Sequence, residues 1–416
     1  MRVLHLLDPA VLRQTEYRRR TLSLIGELRA QGVQTVQLAA PCLAAAGDGL
    51  AHVADHVAAR CPGDGGAGHD AAPDWHVYRT RAPARPGWWP STGAAPLQLT
   101  LSAVALAMRL RQVARLTRPD LIHVHTWEGH APAWQALSAL ASAGRRLPLV
   151  ADAERRGIRC RGGRSPGVPP LERWALARAA ALSASSLEMR AALRGAGVRC
   201  RRIAVIPPAS ELAGMPRRDR TPAGLEGAPL LAFAGPLDRA GGIDLLLAAL
   251  ETARRRYPAL RLVVAGGGVD EDALVRHVGS SHARGHVVVT GTLSSRRSAD
   301  LLPRADIAVF PALAGPAEPL TPPRHLLNAM AQGCTIVASD IACHRELLVH
   351  GHTALLFRAG SSKALADFVL ALLERPERRR ALGVSAAAFA ASHHTWAATA
   401  TGYRRLYQQV LVEQQA

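Results

Sequence analysis

The stretch TPPRHLLNAMAQGCTIVASDIACHREL, residues 321–347, predicts a helix, a strand and a loop in that order. Pro322 and Pro323 stand where a helix begins, because the first helical turn tolerates proline, and Gly333 stands where it ends. The apolar residues between them recur at helical spacing. CTIVAS then predicts a short buried strand, with a loop from Asp340 to Glu346 at its carboxyl end.

This loop and the start of the helix are where a ligand is expected. Ligands of open α/β sheets bind just outside the carboxyl ends of the strands. The helix that begins near Pro323 presents unpaired N–H groups and the positive end of its dipole, both of which suit a phosphate.

The rest of the chain repeats this alternation in two runs, separated by the polar, proline-containing segment 209–228. Strands are predicted at residues 2–7, 33–40, 75–80, 121–126, 147–152, 203–208, 230–235, 260–268, 286–291, 307–311 and 335–339. Helices are predicted at residues 18–31, 98–116, 131–143, 171–182, 186–195, 242–256, 270–279, 294–303, 323–332, 362–373, 376–390 and 395–413. Two such runs imply two doubly wound, Rossmann-like parallel-sheet domains.

Composition narrows the classes of partner. The chain has 416 residues, a formal net charge of +19 and a pI near 11.2. This charge reflects either arginine-rich codon usage or a face that meets anionic lipid or a pyrophosphate-linked acceptor. No helix-turn-helix, RNA-recognition or zinc-finger signature is visible, so nucleic acid is not an expected partner.

Several features indicate a cytoplasmic protein. No apolar run approaches the roughly 20 residues that span a bilayer. MRVLHLLDP reads as a strand and lacks the pattern of a signal peptide. None of the six cysteines lies in a C-x-x-C pair, so reduced thiols are expected and zinc is not.

The opening stretch resembles the nucleotide-sugar site of retaining glycosyltransferases of the GT-B fold, family four. Their pattern is a Glu, seven residues, a second Glu, A-M-A-x-G and then a V-V-A-S strand. Here NAMAQG is followed by TIVASD, so the second half matches. Asn328 stands where the second Glu belongs, and the upstream acid is Glu318. The resemblance gives Glu318 a catalytic role toward the donor sugar and lets Asn328 bond a ribose hydroxyl; an exposed loop acid is the alternative for Glu318.

A narrower resemblance runs from residue 1 to about 413. LHLLDPAVLRQTEYRRRTLSLIGEL is similar to the opening of the group associated with the exosortase A system, with Tyr17, Arg20 and Thr21 in the same order. AGPLDRAGGIDLLLAAL and ASDIACHREL also resemble segments of that group. The resemblance implies GT-B architecture with a central cleft. It gives an acceptor domain at 1–208, a nucleotide-sugar domain at 209–392, and a helix at 393–416 packed back on the acceptor domain.

The resemblance also places the donor diphosphate. Family-four enzymes hold it with Arg and Lys in a G-R-L-x-x-x-K-G turn, which in this chain is Gly235–Gly242. Pro236 and Gly241 occupy the two basic positions, so Arg239 is the candidate replacement, with a solvated side chain as the alternative. Gly241 and Gly242 permit close backbone approach before a helix.

Arg324 and His325 are the second pair of candidate phosphate ligands, because His325 fills a slot that often holds Lys in relatives. A surface position is the alternative for this pair.

Candidate acceptor-side residues lie in the first domain. His123 and His125 alternate on a strand and therefore face the same side, either as a core pair or with His125 near the reacting sugar. Asp152 and Arg155 lie at the end of the next strand. The first strand-to-helix loop adds Thr15, Glu16 and Tyr17.

Two further acidic groups need interpretation. Glu346, beside His344 and Arg345, belongs to the loop after strand 335–339 or caps the helix that follows. Asp270–Asp272 resembles a metal-binding D-x-D motif, but its acids open a helix and suit the helix dipole, so no metal is expected.

The leading hypothesis is a glycosyltransferase that moves a sugar from a nucleotide donor to a polysaccharide or lipid-linked glycan, without cofactor or metal. It would be cytoplasmic, with peripheral contact to the inner face of the membrane. One alternative is a catalytically degenerate relative that acts as a scaffold, since Pro236, Gly241 and Asn328 replace charged residues. A nucleotide-sugar 2-epimerase is another.

Overall fold

The computed structural model describes residues 1–7, 15–39, 77–79, 95–125, 147–153, 170–213, 227–268, 270–280, 285–291, 301–315 and 318–415. Within these residues the chain forms two parallel β-sheets, each flanked by helices. None of the helices in this part of the chain is both long and apolar enough to cross a membrane.

The first sheet has seven strands in the order β3-β2-β1-β4-β5-β6-β7. The strands are β1 (Arg2–Leu7), β2 (Gln34–Ala39), β3 (Val77–Arg79), β4 (Leu121–Val124), β5 (Leu149–Ala153), β6 (Ala181–Ala184) and β7 (Ile203–Val205). The chain winds outward from β1 in one direction and then returns to its other side, which places the topological switch between β1 and β4.

The second sheet has six strands in the order β10-β9-β8-β11-β12-β13. The strands are β8 (Leu230–Ala234), β9 (Arg261–Ala265), β10 (Val287–Val289), β11 (Ile307–Phe310), β12 (Ile336–Ser339) and β13 (Leu355–Phe357). Its switch lies between β8 and β11.

The described helices complete two doubly wound units, which confirms the predicted fold class. Those of the first unit are α1 (Thr15–Ala30), α2 (Ala95–Thr117), α3 (Pro170–Ala177) and α4 (Leu187–Gly195). Those that follow are α5 (Ile243–Arg254), α6 (Glu271–Ser280), α7 (Arg324–Ala331), α8 (Ala342–Arg345), α9 (Ser362–Leu373), α10 (Pro376–His393) and α11 (Trp396–Gln415).

The last helix returns to the first sheet. On α11, Tyr403, Leu406, Tyr407 and Val410 are buried in one apolar cluster with residues of β1, β4, β5 and α1. A part of the core of the first unit is therefore supplied by the last 20 residues of secondary structure, far away in sequence.

One predicted helix boundary was wrong, and two elements after β12 were not predicted. The helix predicted at 171–182 ends at Ala177, and residues 181–184 form β6, because the buried small residues ALSA carry no helical or strand periodicity. The predicted loop after β12 contains α8, and β13 was missed. The predicted helix at 131–143 and most of that at 294–303 lie outside the described residues.

Glycine is required where the turn after β8 meets β11. Gly242 has a φ of 74°, and a Cβ there would lie 2.0 Å from the Pro311 carbonyl oxygen. The main chain of the turn therefore packs directly on the end of β11, at the topological switch of the second sheet.

Gly242→Ala should lower the free energy of unfolding more than Gly351→Ala does. Gly351 has a similar φ of 77° but open space around it, so its variant measures left-handed strain alone, about 1–2 kcal/mol. At Gly242 the steric overlap adds about 1–3 kcal/mol. Urea unfolding of both variants is the measurement, and equal losses would show that this packing is not tight.

Candidate functional site

The donor side of the candidate site is built at the carboxyl ends of β8, β11 and β12. Besides the Gly242 contact, the Leu313 amide donates to the Ala240 carbonyl at 2.9 Å, so the loops after β8 and β11 are joined. The N-terminus of α7 follows the loop after β11. This is the edge at which the sequence predicted nucleotide binding.

The turn after β8 is held by its own aspartate. Asp238 caps the short 3-10 turn Arg239–Gly241, and its Oδ1 accepts from the Gly241 amide at 2.8 Å. The Gly241 amide is thus already bonded, whereas Gly242 begins α5 without a side-chain cap. Arg239 is exposed. Arg239, Gly241 and Gly242 were predicted to contact the donor diphosphate. Of these three residues, Gly242 has the geometry for close backbone approach.

The first turn of α7 carries Arg324 and His325, both half-buried. Pro323 occupies the N-cap position, and this residue provides no side-chain cap. An uncapped helix N-terminus with a permanent cation in its first turn has the chemistry of an anion site. Arg324 therefore lies at a helix N-terminus, whereas Arg239 is exposed in the turn after β8.

Asn328 faces the connection between the two units. The residue is 7% exposed, and its Oδ1 accepts from the Ser210 hydroxyl at 2.9 Å. The Ser210 amide donates to the His394 carbonyl at 2.8 Å, at the return crossing to α11. The amide oxygen that was predicted to bond ribose is therefore engaged in a contact at the hinge.

Glu318 and Glu346 both bind main-chain amides at helix N-termini. Glu318 Oε1 accepts from the Ala342 amide at 3.0 Å, at the start of α8. Glu346 accepts from the Leu187 and Glu188 amides at 2.7 and 3.1 Å. The alternative in which Glu346 caps the following helix is wrong, because its carboxylate caps α4 in the first unit.

The pKa of Cys343, the cysteine within α8, reflects its burial and the negative charges of these nearby acids. Burial raises the pKa of the Cys343 thiol to about 12, with further contributions from the negative charges of Glu318, Glu346 and Glu188. The acids therefore surround one buried residue at the junction of the two units.

On the acceptor side, a buried polar network lies where α11 covers the first sheet. Asp152 Oδ1 lies 3.0 Å from His123 Nε2 and Oδ2 lies 3.0 Å from His125 Nδ1. The Ser183 and Tyr403 hydroxyls donate to Oδ1 at 2.6 and 2.7 Å. One carboxylate thus joins β4, β5, β6 and α11.

The same network extends to β1 and further along α11. His5 Nδ1 lies 2.9 Å from His125 Nε2, and the Tyr407 hydroxyl lies 2.7 Å from His123 Nδ1. Burial, followed by the charges of the other two histidines, holds the pKa of His5 well below its usual value. His5 Nε2 has no hydrogen-bond partner within the described part of the chain.

The protonation states follow from this environment. Burial lowers the pKa of His125 to about 4, so its ring is neutral at pH 7. Burial acts to raise the pKa of Asp152, but the charge and hydrogen bonds of His123 and His125 outweigh it, and the net shift is well downward. The ionised carboxylate accepts from His125 Nδ1–H, which leaves His125 Nε2 to accept from His5 Nδ1–H.

These histidines also form a candidate ligand set for a metal. One ring nitrogen from each of His5, His123 and His125 lies within 4.8 Å of the other two. However, His123 and His125 each use both ring nitrogens in hydrogen bonds. A metal ion would have to displace those hydrogen bonds in order to bind. The arrangement therefore favours a network held together by hydrogen bonds.

A pocket borders this network. Its lining includes Arg20, His125, Asp152, Trp396 and Tyr403. The Asp152 side chain is 13% exposed and so reaches it, whereas the His123 side chain is fully buried. His123 is therefore a core histidine, as one of the two alternatives predicted. His125 and Asp152 lie at the boundary between the core and the pocket.

The other predicted acceptor residues are less informative. Thr15, Glu16 and Tyr17 open α1 instead of preceding it, and their side chains lie outside the described residues, as does Arg155. Sequence reasoning missed His5, Ser186 and Ser210. His5 had a usable signal, since a histidine inside the apolar strand RVLHLL is unusual.

Comparison with known proteins agrees with this architecture. The profile of the glycosyl transferase 4-like domain matches residues 15–209, and that of the glycosyl transferases group 1 matches residues 217–389. Each half of the chain is thus similar to a glycosyltransferase domain, and the two matches together span most of the sequence. The two profiles meet at the linker between the sheets.

Named relatives are glycosyltransferases with different acceptors. A phosphatidyl-myo-inositol mannosyltransferase of Mycobacterium leprae is 31% identical over 203 residues, 49% of this chain and 50% of that protein. A glycogen synthase of Mycobacterium tuberculosis is 28% identical over 322 residues, 73% of this chain and 72% of that protein. The match thus spans about half the length of the mannosyltransferase.

Solved structures show the same fold. Sucrose-phosphate synthase from Thermosynechococcus elongatus superposes with a TM-score of 0.69 at 17% identity, covering 99% of this chain and 100% of that one. Anabaena HepE in complex with UDP and glucose gives 0.64 at 16% identity, covering 98% and 100%. These likenesses confirm the predicted GT-B fold.

The buried histidines make stability depend on pH. The unfolded chain binds a proton at His125 near its usual pKa of 6.5, while the folded protein does so only near 4. Unfolding is therefore favoured as pH falls through this window, by up to about 1.4 kcal/mol per pH unit for one residue. His125→Gln should flatten the dependence of unfolding free energy on pH between 6.5 and 4.

Chemical denaturation at a series of pH values measures this slope. His352→Gln is the matched control, because His352 is exposed and its replacement should leave the slope unchanged. A wild-type slope in His125→Gln would contradict the assigned protonation states.

Proposed function

We propose that this protein is a glycosyltransferase that moves a sugar from a nucleoside-diphosphate donor to a hydroxyl of a glycan or lipid-linked acceptor, with retention of anomeric configuration. The observation that carries the proposal is the convergence of the β8, β11 and β12 loops with the uncapped N-terminus of α7 and Arg324. This convergence lies at a switch point of a doubly wound sheet, where such folds bind ligands. Anabaena HepE, which shares the fold, binds UDP-glucose.

In the proposed reaction the bond between the anomeric carbon and the diphosphate oxygen breaks, and a bond to the acceptor oxygen forms. The acceptor proton leaves with the diphosphate. Arg324 and the α7 N-terminus would stabilise the charge that develops on the leaving group. Glu318 would accept donor-sugar hydroxyls, and His125 and Asp152 would border the acceptor. No cofactor or divalent metal takes part in this proposal.

The particular pathway is proposed from the resemblance to the exosortase A-associated group, whose motifs match AGPLDRAGGIDLLL and ASDIACHREL. The acceptor would be a growing polysaccharide, linked to lipid at the cytoplasmic face of the membrane. The mannosyltransferase relative, named for a phosphatidylinositol acceptor, supports an amphiphilic acceptor class.

Peripheral membrane contact is supported by the outer face of α2. Met108 and Leu116 are 61% and 67% exposed, and Arg111 and Arg115 are exposed at helical spacing between them. The helix contains no acidic residue. A stripe that combines exposed apolar and cationic side chains is typical of helices that lie on anionic bilayers.

A specific observation also favours the degenerate scaffold as a second candidate. The Gly241 amide is bonded to Asp238, and the Asn328 oxygen is bonded to Ser210, so two positions of the donor site serve local structure. A scaffold would bind no nucleoside diphosphate at millimolar concentration, which separates it from the enzyme.

Nucleoside diphosphates should bind in excess chelator, and Arg324→Ala should weaken that binding more than Arg239→Ala. Loss of a charged hydrogen bond costs about 1.5–3 kcal/mol, so a roughly 10- to 150-fold rise in Kd is expected for Arg324→Ala. Titration calorimetry with uridine, adenosine and guanosine diphosphates is the measurement. Binding that appears only after magnesium or manganese is added, or equal affinities in both variants, would contradict the proposed site.

Vesicles that contain phosphatidylglycerol should bind the protein, and neutral phosphatidylcholine vesicles should not. Replacing Arg111 and Arg115 together by Ala should weaken binding by about 2 kcal/mol, at about 1 kcal/mol per cation. Val384→Asp is the control, since Val384 is a 70% exposed apolar residue of α10 in the second unit. Co-sedimentation is the measurement, and wild-type binding by the double Ala variant would exclude this surface.

A further inference from the structure

The two units touch at the N-terminus of α4, across the cleft between the sheets. The Glu346 carboxylate accepts from the Leu187 amide with one oxygen and from the Glu188 amide with the other. The Met189 amide donates to the Ser186 hydroxyl oxygen at 2.9 Å. The first three amides of α4 are thus satisfied, two of them by a residue of the other unit.

Ser186 makes a second contact in the opposite direction. Its hydroxyl donates to the Leu320 carbonyl at 2.5 Å while it accepts from Met189. Leu320 lies two residues after Glu318, in the loop that leads from β11 to α7. The N-cap of α4 therefore holds the main chain of the loop that carries the candidate catalytic acid.

These contacts close into a ring. Glu318 accepts from the Ala342 amide at the start of α8, and Glu346 stands at the end of α8. From Ser186 the ring runs through Leu320 and Glu318 to α8, and Glu346 returns it to α4. If the two units separate, the contacts of Ser186 with Leu320 and of Glu346 with α4 break. The contact of Glu318 with Ala342 lies within the second unit and remains.

The ring has both a stabilising and an opposing element. A carboxylate bonded to amides at a helix N-terminus is favourable through charge-assisted hydrogen bonds and the helix dipole. Glu188, Glu318 and Glu346 nevertheless bring three negative charges around Cys343. Repulsion between these like charges lowers the net stability of the closed arrangement. The contact between the two units is therefore of limited strength, which suits a cleft that a substrate must enter and leave.

We propose that Ser186 and Glu346 form a clamp that closes the two units over the cleft and positions the loop carrying Glu318. Ser186 and Glu346 are positioning residues and not groups that touch the reacting atoms. The structural part of this proposal goes beyond glycosyl transfer. The effect on catalysis rests on the proposed function.

Hydrogen exchange tests the clamp in the full-length protein without any assay of transfer. In Glu346→Ala, the Leu187 and Glu188 amides should exchange about tenfold faster or more, because both lose a charge-assisted bond. Glu346→Gln keeps one acceptor oxygen and should give an intermediate rate. The peptide over α9 serves as the internal reference, and its exchange should not change if the variants remain folded.

Small-angle scattering provides the second readout. Glu346→Ala and Ser186→Ala should increase the radius of gyration, whereas Ser186→Thr, which keeps a hydroxyl cap, should restore the wild-type value. Glu374→Gln is the matched control, because Glu374 is an exposed acid of the second unit that pairs with Arg256, away from α4. Unchanged exchange at Leu187 and Glu188, or an unchanged radius in both Ala variants, would overturn the clamp.

Transfer kinetics then separate this proposal from the proposed function. With an active wild type, Glu346→Ala should lower kcat while the Kd of the nucleoside diphosphate stays within about twofold, since Arg324 and the N-terminus of α7 are not part of the clamp. If the wild type shows no transfer activity but the Glu346 variants still open, the clamp stands and the proposed catalytic function is refuted. A Glu346→Ala variant with wild-type kcat would refute the positioning role.

Discussion

The buried carboxylate of Asp152 is the constraint on which the first unit depends. It accepts from side chains of β4, β6 and α11, and the histidines that it orients reach β1 and a second tyrosine of α11. A buried charge is tolerated only when its hydrogen bonds are satisfied. The last helix of the chain is consequently part of the first domain, and the candidate acceptor pocket lies at the edge of this network.

Domain organisation follows from where the chain crosses between the units. The outgoing linker and the return to α11 are bonded to each other through Ser210 and His394, and Ser210 also binds Asn328. At the opposite side of the cleft the units meet again through Ser186 and Glu346. Relative motion of the units is thus limited at a hinge and at a clamp, and both include residues next to the donor site.

The candidate donor site has lost two cationic side chains and keeps a well-ordered main-chain turn. Pro236 and Gly241 replace two cations of the related turn, and the remaining turn is rigid because Asp238 caps it and Gly242 packs on Pro311. Positive potential is then supplied by the N-terminus of α7 and by Arg324. This arrangement suits an anion that is bound without a metal, since helix termini and cations both favour negative charge.

Local sequence was sufficient for most of the architecture. The alternation of apolar strands with amphipathic helices, the glycines that end the helices, and the NAMAQG–TIVASD stretch together determined two doubly wound sheets and predicted the edge where a ligand is expected. These signals are local because strand and helix periodicity and turn chemistry depend on a few neighbouring residues. Where periodicity was absent, as in the small residues of β6, prediction was wrong.

The roles of individual polar residues were decided by tertiary structure alone. Glu346 caps a helix that begins 159 residues earlier, Asn328 binds a serine 118 residues away, and Tyr407 binds a histidine 284 residues away. A carboxylate, an amide or a hydroxyl can bond any suitable partner, so its sequence position does not specify which one it meets. Apolar periodicity determined which faces are buried, and the packing of distant elements determined which polar atoms share those faces.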